Sequence, residues 1–287
     1  MKEKRNHPIL KIAIIILLII FSTLIYSRFI STNGLKIKEY KIVNENIPDN
    51  INGFKIVHLS DIHYGRIIND KRLEQIVERI NLINPDIVVL TGDLIDRDTS
   101  LTSEDINTIS NILSKINVSI DKYAIKGNHD FYFGEWENII LNSDFIDLNN
   151  NYDLIYKNGY TPMLIAGLSS ISDEKNIQSR AETLTTTIKD NKISSIYNIL
   201  LLHEPDIVDS IDINNYQLIL GGHSHNGQVR LPFIGAIITP EGAKKYYDEY
   251  YKINNSHLYI SSGLGTSQLD FRFFNKPSFN FYRITNK

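Results

Sequence analysis

Cysteine is absent from the 287 residues. That excludes a disulfide framework, a thiolate nucleophile and a Cys-type zinc site, so any metal must be held by His, Asp, Glu or Asn. It leaves open an exported or an intracellular location. An excess of positive charge is missing too, because 30 Lys and Arg stand against 33 Asp and Glu for a net charge of −3. Without that excess there are few counterions to release on binding a polyanion, which excludes a bulk electrostatic nucleic-acid binder. Bias of composition is also lacking. At 42% hydrophobic and 22% charged residues the chain is neither disordered nor of low complexity. Its length suits one large α/β domain.

Uncharged apolar stretches are rare after the start of the chain, which makes the first one conspicuous. The sequence opens MKEKRNHPILKIAIIILLIIFSTLIYSRF, with no charge from Ile12 to Ser27 and Ile9 and Leu10 extending the run past Lys11. The run falls slightly short of the ~20 residues that span a bilayer, but a lysine at its edge can snorkel. No small-x-small cleavage pattern follows in Ser22–Ser27. The segment therefore reads as an uncleaved signal anchor; the alternatives are a cleaved signal or a buried core helix, and a core helix would have a polar face. Lys2, Lys4, Arg5 and Lys11 precede the run, and Arg28, Lys36, Lys38 and Lys41 follow it. The first set crowds closer, which places the N-terminus inside and the main domain outside the cell membrane as a single-pass protein.

The expected organisation is an anchor over 1–30, a connector and edge strand over 31–53 including the weakly alternating KIKEYKIV, and a catalytic domain over 54–287. Phe54–Ser60 reads as a buried strand. Leu73, Ile76, Val77, Ile80 and Ile83 form one face of a helix beginning near Asp70 and ended by Pro85. Ile87–Leu90, a helix over Glu104–Ile116 and Tyr123–Lys126 continue the alternation. Later strands are expected at Met163–Gly167, Tyr197–His203, Gln217–Gly222, Leu258–Gly263 and Phe279–Ile284, with a helix over Asp173–Asn191. Strands alternating with helices argue for a layered α/β domain.

Metal-type side chains gather where these strands end: Asp61-Ile62-His63, Gly92-Asp93, Gly127-Asn128-His129-Asp130, His203-Glu204 and Gly222-His223-Ser224-His225. Ligands bind at strand carboxyl ends in open α/β sheets, so five separate segments can converge on one crevice. Each piece alone is weak, since a lone histidine near a strand is usually structural; together and in order they are specific. Two divalent ions about 3.5–4 Å apart need a shared carboxylate with neutral imidazoles and an amide oxygen. Mn, Fe and Zn accept such a mixed set, with Mn the first choice, whereas Mg and Ca prefer oxygen alone. A hydroxide bridging such a pair is a nucleophile at neutral pH.

The ordered set DxH, GD, GNHD, H and GHxH resembles the calcineurin-like metallophosphoesterase superfamily, from about Phe54 onward. The resemblance implies a four-layer α/β/β/α sandwich and a dinuclear hydrolase of phosphate esters or pyrophosphates. It implies that Asp61, His63 and His225 hold one metal, that Asn128, His203 and His223 hold the other, and that Asp93 bridges. By the same resemblance His129 contacts the phosphoryl group and protonates the leaving oxygen, and Asp130 orients it. HLSDIHYG, LTGDLID, HEPD, GGHSHNGQVRLPFIG and GLGTS…RFFNKP look like the bacterial membrane-associated branch, some members of which resemble hydrolases of lipid-linked pyrophosphates. Asn226 and Ser278 depart from that branch, where Gly and Glu are usual. The expected partners are a phosphorylated small-molecule or lipid substrate and the membrane; no nucleic acid or protein partner is indicated. The rivals are a metal-binding scaffold or sensor that has lost catalysis and a tethered adhesion domain, and the complete ligand set with His129 argues against both.

Other residues have plainer expectations. His58 reads as structural, His7 and His257 as solvated, and Glu204 as uninvolved beside a helix-starting Pro205. Asp96 is balanced between touching a metal ligand and capping a helix. Gly263 and Gly265 suit a tight turn near the metals. The Tyr246, Tyr247, Tyr250, Tyr251 cluster and Phe271, Phe273 and Phe274 can each be a packed surface or an apolar rim for a lipid.

Overall fold

Continuous β-branched runs without a polar face need cover on both sides. In the computed structural model, which describes residues 8–173 and 176–287, they receive it from two stacked sheets and flanking helices. Strands β1 (Lys36–Val43), β2 (Phe54–Leu59), β3 (Ile87–Thr91), β4 (Lys122–Ile125) and β5 (Phe145–Asp147) belong to the first sheet. Strands β6 (Asn151–Ile155), β7 (Met163–Gly167), β8 (Asn198–Leu201) and β9 (Leu218–Gly221) open the second. A small hairpin, β10 (Arg230–Leu231) with β11 (Gly235–Ala236), stands apart from both. Strands β12 (Tyr250–Ile253) and β13 (Ser256–Ile260) complete the second sheet, and β14 (Ser278–Thr285) returns to the first. The strand orders are β1-β14-β2-β3-β4-β5 and β12-β13-β9-β8-β7-β6.

Alternation along the strands assigns the layers. Val57, Leu59, Val88 and Leu90 pack with helices α2 (Asp70–Ile83), α3 (Ser103–Ser114) and α4 (Trp136–Asn142). Their neighbours Ile56 and Val89 face Ile165, Ile199 and Leu220 between the sheets. Leu200, Ile219 and Ile260 pack on the outer helix α5 (Ile177–Asp190) through Ala181 and Leu184. The result is the expected α/β/β/α sandwich. A fully buried aliphatic side chain contributes about 1.5–3 kcal/mol, against about 0–1 for an exposed ion pair, so these three apolar layers dominate stability.

Local signals worked where they were strong. Helix α2 begins after Asn69, whose side chain accepts from the Arg72 N–H, and ends at left-handed Asn84 just before Pro85. Helix α3 carries a capping box between Thr102 and Asp105. The helix expected over 173–191 is observed from Ile177 behind an Asn176 cap; Glu174 and Lys175, like residues 1–7 with their basic cluster and His7, lie outside the described residues. Pro205 starts only a short 3-10 turn, Pro205–Asp209.

Strands β2, β3 and β4 run parallel, as do β8 and β9, so their carboxyl ends share one rim of the sandwich. Before them stands α1 (Pro8–Ile25), apolar and without a buried residue. Its 18 residues rise about 27 Å, close to the ~30 Å hydrocarbon core of a bilayer. The helical segment Pro8–Asn33 is the one helix among the described residues long and apolar enough to cross a membrane. Its foot is fixed to the sandwich: Ser27, Ser31 and Thr32 are buried, the Arg272 N–H donates to the Ser27 carbonyl at 3.0 Å, and Arg28 meets Asp270 at 3.3 Å.

Candidate metal centre

The strand ends supply donors through unusual backbone. Asp61, His63, Asp93, His223 and His225 all have φ between 44° and 63°, a left-handed conformation that non-glycine residues adopt at a cost. At this conformation the chain leaves each strand sharply and turns the side chain inward. Glycines make the tight approach possible. A Cβ on Gly127 would strike Asp93 and one on Gly222 would strike Ser60, while a Cβ on Gly263 would lie 2.9 Å from both Asp61 and His225.

The seven expected ligands meet in two adjoining clusters. Asp61, His63 and His225 form the first, and Asp93, His203 and His223 the second. The Nε2 atoms of His63 and His225 lie 3.1 Å apart, and Asp61 Oδ1 lies 3.5 Å from His225 Nε2. In the second cluster His203 Nε2 is 3.2 Å from Asn128 Oδ1. Asp93 stands between the two, with Oδ2 3.5 Å from His63 Nε2 and 3.3 Å from His203 Nε2. Its Oδ1 accepts the His129 N–H at 2.8 Å.

Hydrogen bonds on the far side of the rings aim the nitrogens. His203 Nδ1 lies 2.6 Å from the Thr91 carbonyl and so carries its proton there, leaving the Nε2 lone pair to face Asp93. His223 Nε2 donates to the Glu241 carbonyl at 2.7 Å, leaving Nδ1 as its lone-pair nitrogen. Burial favours the neutral His203 ring, yet the Asp93 carboxylate outweighs it and raises its pKa, so that a proton sits at Nε2 where a cation would otherwise take its place. Buried carboxylates and lone pairs converging without enough protons between them are a donor set that cations complete.

The partner of His129 is not the expected one. Asp130 is fully buried and accepts four backbone N–H groups, those of Asp93, Leu94, Ile95 and Gly127. It is a staple for the Asp93 loop, and sequence adjacency misled because residues side by side in a 3-10 turn point apart. The carboxylate beside His129 is Asp96, with Oδ2 3.5 Å from His129 Nδ1 and 3.2 Å from His63 Nδ1. Burial would raise the Asp96 carboxyl, but the His129 and His63 rings facing it prevail and hold it well below the usual range. Burial likewise opposes charge on His129, and Asp96 and Asp93 overcome it and raise its pKa. The Arg97 backbone nitrogen lies 3.2 Å from the same His129 Nδ1.

The centre forms one wall of a cavity of about 650 Å³. Asp93, Asn128, His129, His223 and His225 line its polar end, Arg97 and Lys244 add positive charge, and Val229, Ile237, Leu269 and Phe271 form an apolar side.

A profile described as calcineurin-like phosphoesterase matches residues 54–227, which hold every donor of both clusters. The chain belongs to the calcineurin-like phosphoesterase family. This family member is similar to the uncharacterized metallophosphoesterase YkuE of Bacillus subtilis, 30% identical over 267 residues that cover 90% of this chain and 88% of that protein. An uncharacterized metallophosphoesterase of Campylobacter jejuni is 32% identical over 271 residues, 92% of this chain and 67% of the relative. The phosphodiesterase YaeI of Escherichia coli is 26% identical over 222 residues, 76% of this chain and 77% of its own. The phosphoesterase is thus a hydrolase whose clustered side chains suit divalent metal ions.

Several residues around the phosphoesterase centre carried little sequence signal. Arg272 is fully buried and donates to the Ser262, Gly263 and Gly265 carbonyls, holding the glycine turn beside His225. Burial lowers its pKa to about 9. Glu204, read as uninvolved, is buried next to His203 and accepts from the Ser170 hydroxyl and from the Ile171 N–H at 3.2 Å. His58 is structural, 2.8 Å from Thr91 Oγ1, with burial lowering its pKa to about 3. His257 is a surface residue bonded to Tyr250. In the tyrosine cluster Tyr246 is buried and the Tyr251 hydroxyl accepts two backbone N–H groups, which is packing, while Tyr250 is exposed. The phenylalanines divide, Phe271 lining the cavity, Phe273 lying 6.2 Å from the Tyr26 ring and Phe274 exposed.

Asp96 yields a direct test. Asp96→Asn should keep both metals bound and lower kcat about 10–100-fold, the usual worth of a group that orients a ligand or acid. Because the carboxylate raises the His129 pKa, its loss should move the alkaline limb of the pH–rate profile to lower pH. An unmoved profile would show that Asp96 serves stability alone.

Proposed function

We propose that this protein is a membrane-anchored, dinuclear metal-dependent hydrolase of phosphate esters or pyrophosphates whose substrates include phosphorylated amphiphiles. The supporting observation is the position of Asp93, one carboxylate oxygen of which faces His63 and His203 at 3.5 and 3.3 Å, between two donor clusters. In this reading Asp61, His63, His225 and Asp93 hold one ion, and Asn128, His203, His223 and Asp93 the other. The nitrogen-rich set suits Mn, Fe or Zn, with Mn first. Bound there, such ions lower the pKa of water and neutralise phosphoryl charge.

The chain's own residues do the rest. Arg97 and Lys244 draw an anionic substrate into the cavity, and the apolar side accepts its hydrocarbon portion. Water attacks phosphorus in line with the leaving oxygen; a P–O bond forms to the water as the ester bond breaks. His129, charged beside Asp96, gives its Nε2 proton to the departing oxygen and is left neutral; the attacking water loses a proton to solvent, and solvent returns one to His129. Asp96 holds the His129 ring and stabilises its charged form between turnovers. The anchor is residues 1–30, the connector 31–53 and the catalytic domain 54–287, placed outside the cell by the basic residues ahead of α1.

The test is a substrate panel on the Mn-loaded full chain: an aryl phosphate monoester, an aryl diester, nucleotides and a lipid-linked pyrophosphate. Hydrolysis with two ions per chain is expected, with the amphiphile preferred. Two bound ions and no turnover of any substrate would favour a metal-binding scaffold. Activity without bound metal would overturn the reading entirely.

A further inference from the structure

The hairpin β10–β11 carries an uncharged apolar segment, Leu-Pro-Phe-Ile-Gly-Ala-Ile-Ile over 231–238. A packed loop would bury such residues. Here Phe233 at the tip is fully exposed, with Ile234 71% and Ile238 77% exposed. Leu82 and Leu141, also exposed, stand singly, as on any soluble surface.

The root of this hairpin sits at the foot of the N-terminal helix. Val229 bridges Phe273, the Arg230 N–H donates to the Phe273 carbonyl at 2.9 Å, and the Phe273 ring packs 6.2 Å from Tyr26. The neighbouring Arg272 N–H is bonded to Ser27. From Arg230 the tip is three residues away, a reach of at most about 10 Å. The exposed Phe274 ring lies 4.5 Å from Phe273 and extends the apolar surface at this root. Charge borders the segment without entering it: Arg230, paired with Asp248 at 2.7 Å, precedes it, and Glu241, Lys244 and Lys245 follow. An exposed apolar tip with its charges held back at its two ends suits a segment that dips into a membrane interface.

We propose that the 231–238 hairpin is a second membrane contact, its tip immersed in the leaflet from which α1 emerges. The occupant of this surface is lipid, because the surface is continuous with the helix that spans it. Ile237 and Ile238 also line the catalytic cavity, so immersion joins the cavity's apolar side to the leaflet and lets an amphiphile enter without crossing water. The inference rests on reading α1 as a membrane span and on the amphiphile reading of the cavity.

The experiment uses the full chain in vesicles of phosphatidylglycerol and phosphatidylethanolamine. The single native tryptophan, Trp136, is buried in the helix layer and gives a constant background. Phe233→Trp should add blue-shifted emission quenched about two-fold by lipids brominated near the headgroup, the ~5–10 Å depth of interfacial segments. Leu17→Trp, read with lipids brominated deep in the acyl chains, tests the span, and Tyr160→Trp, at a fully exposed site, reports water. Quenching at 17 without quenching at 233 overturns the hairpin contact and leaves the anchor standing. No quenching at 17 overturns the anchor itself and the hairpin proposal with it. Tip emission that shifts with protein concentration and ignores brominated lipid means a contact between copies, which also overturns the proposal. In Phe233→Asp/Ile234→Asp, hydrolysis of a soluble aryl phosphate should be unchanged, while the apparent KM for a vesicle-borne substrate rises about tenfold, one decade per 1.4 kcal/mol of lost contact. An unchanged KM overturns the role in substrate entry.

Discussion

Asp93→Asn is expected to lose most bound metal and lower kcat by about 10³-fold or more, because ions at such sites supply several kcal/mol of transition-state stabilisation. The asparagine keeps the size of the side chain and can still accept the His129 N–H, so folding should survive. What disappears is the negative charge shared by His63 and His203, 3.5 and 3.3 Å from one oxygen. Asp61→Asn should differ in kind, since Asp61 faces His225 and not the second cluster. Elemental analysis of the two variants should show close to none against close to one ion per chain. Equal losses would mean that the two clusters act as a single site.

His129→Ala is expected to retain both ions and lose about 10²–10⁴ in kcat, the worth of a positioned acid. His129 approaches the donor clusters through its neighbours: its backbone N–H bonds Asp93, and its ring faces Asp96 and Arg97. The deficit should shrink for esters of acidic phenols, whose leaving oxygens need no proton. Rates measured across phenols of rising pKa should therefore fall more steeply in the variant than in the parent. Parallel slopes would show that His129 binds the phosphoryl group without transferring a proton, and loss of metal would make it a ligand.

What the sequence disclosed follows from burial. Strands β2, β3, β7, β8 and β9 are covered on both faces, so they appear as unbroken apolar runs. Strand β6 (NYDLI) is half exposed, β5 has three residues and α4 seven, too short or too polar for any periodicity to emerge. The donors were legible because each follows a strand, where topology alone gathers side chains. Asp130 was misread because its neighbour in sequence is not its neighbour in space: its carboxylate turns back to the Asp93 loop. Asp96 offered only a weak signal, three residues beyond Asp93. Arg272 and Lys244 offered less, since their contacts are made by loops far along the chain.

The donors are also divided between the two halves of the sandwich. Asp61, His63, Asp93 and Asn128 lie on the ends of β2, β3 and β4, whereas His203, His223 and His225 lie on those of β8 and β9. Neither cluster is complete in one half: Asp61 and His63 wait for His225, and Asp93 and Asn128 wait for His203 and His223. A chain growing from the ribosome therefore cannot assemble either ion site until the segment around 225 has emerged and the second sheet has docked on the first. Hydrolytic competence becomes a late checkpoint in biogenesis, reached only after α1 has long since left the ribosome.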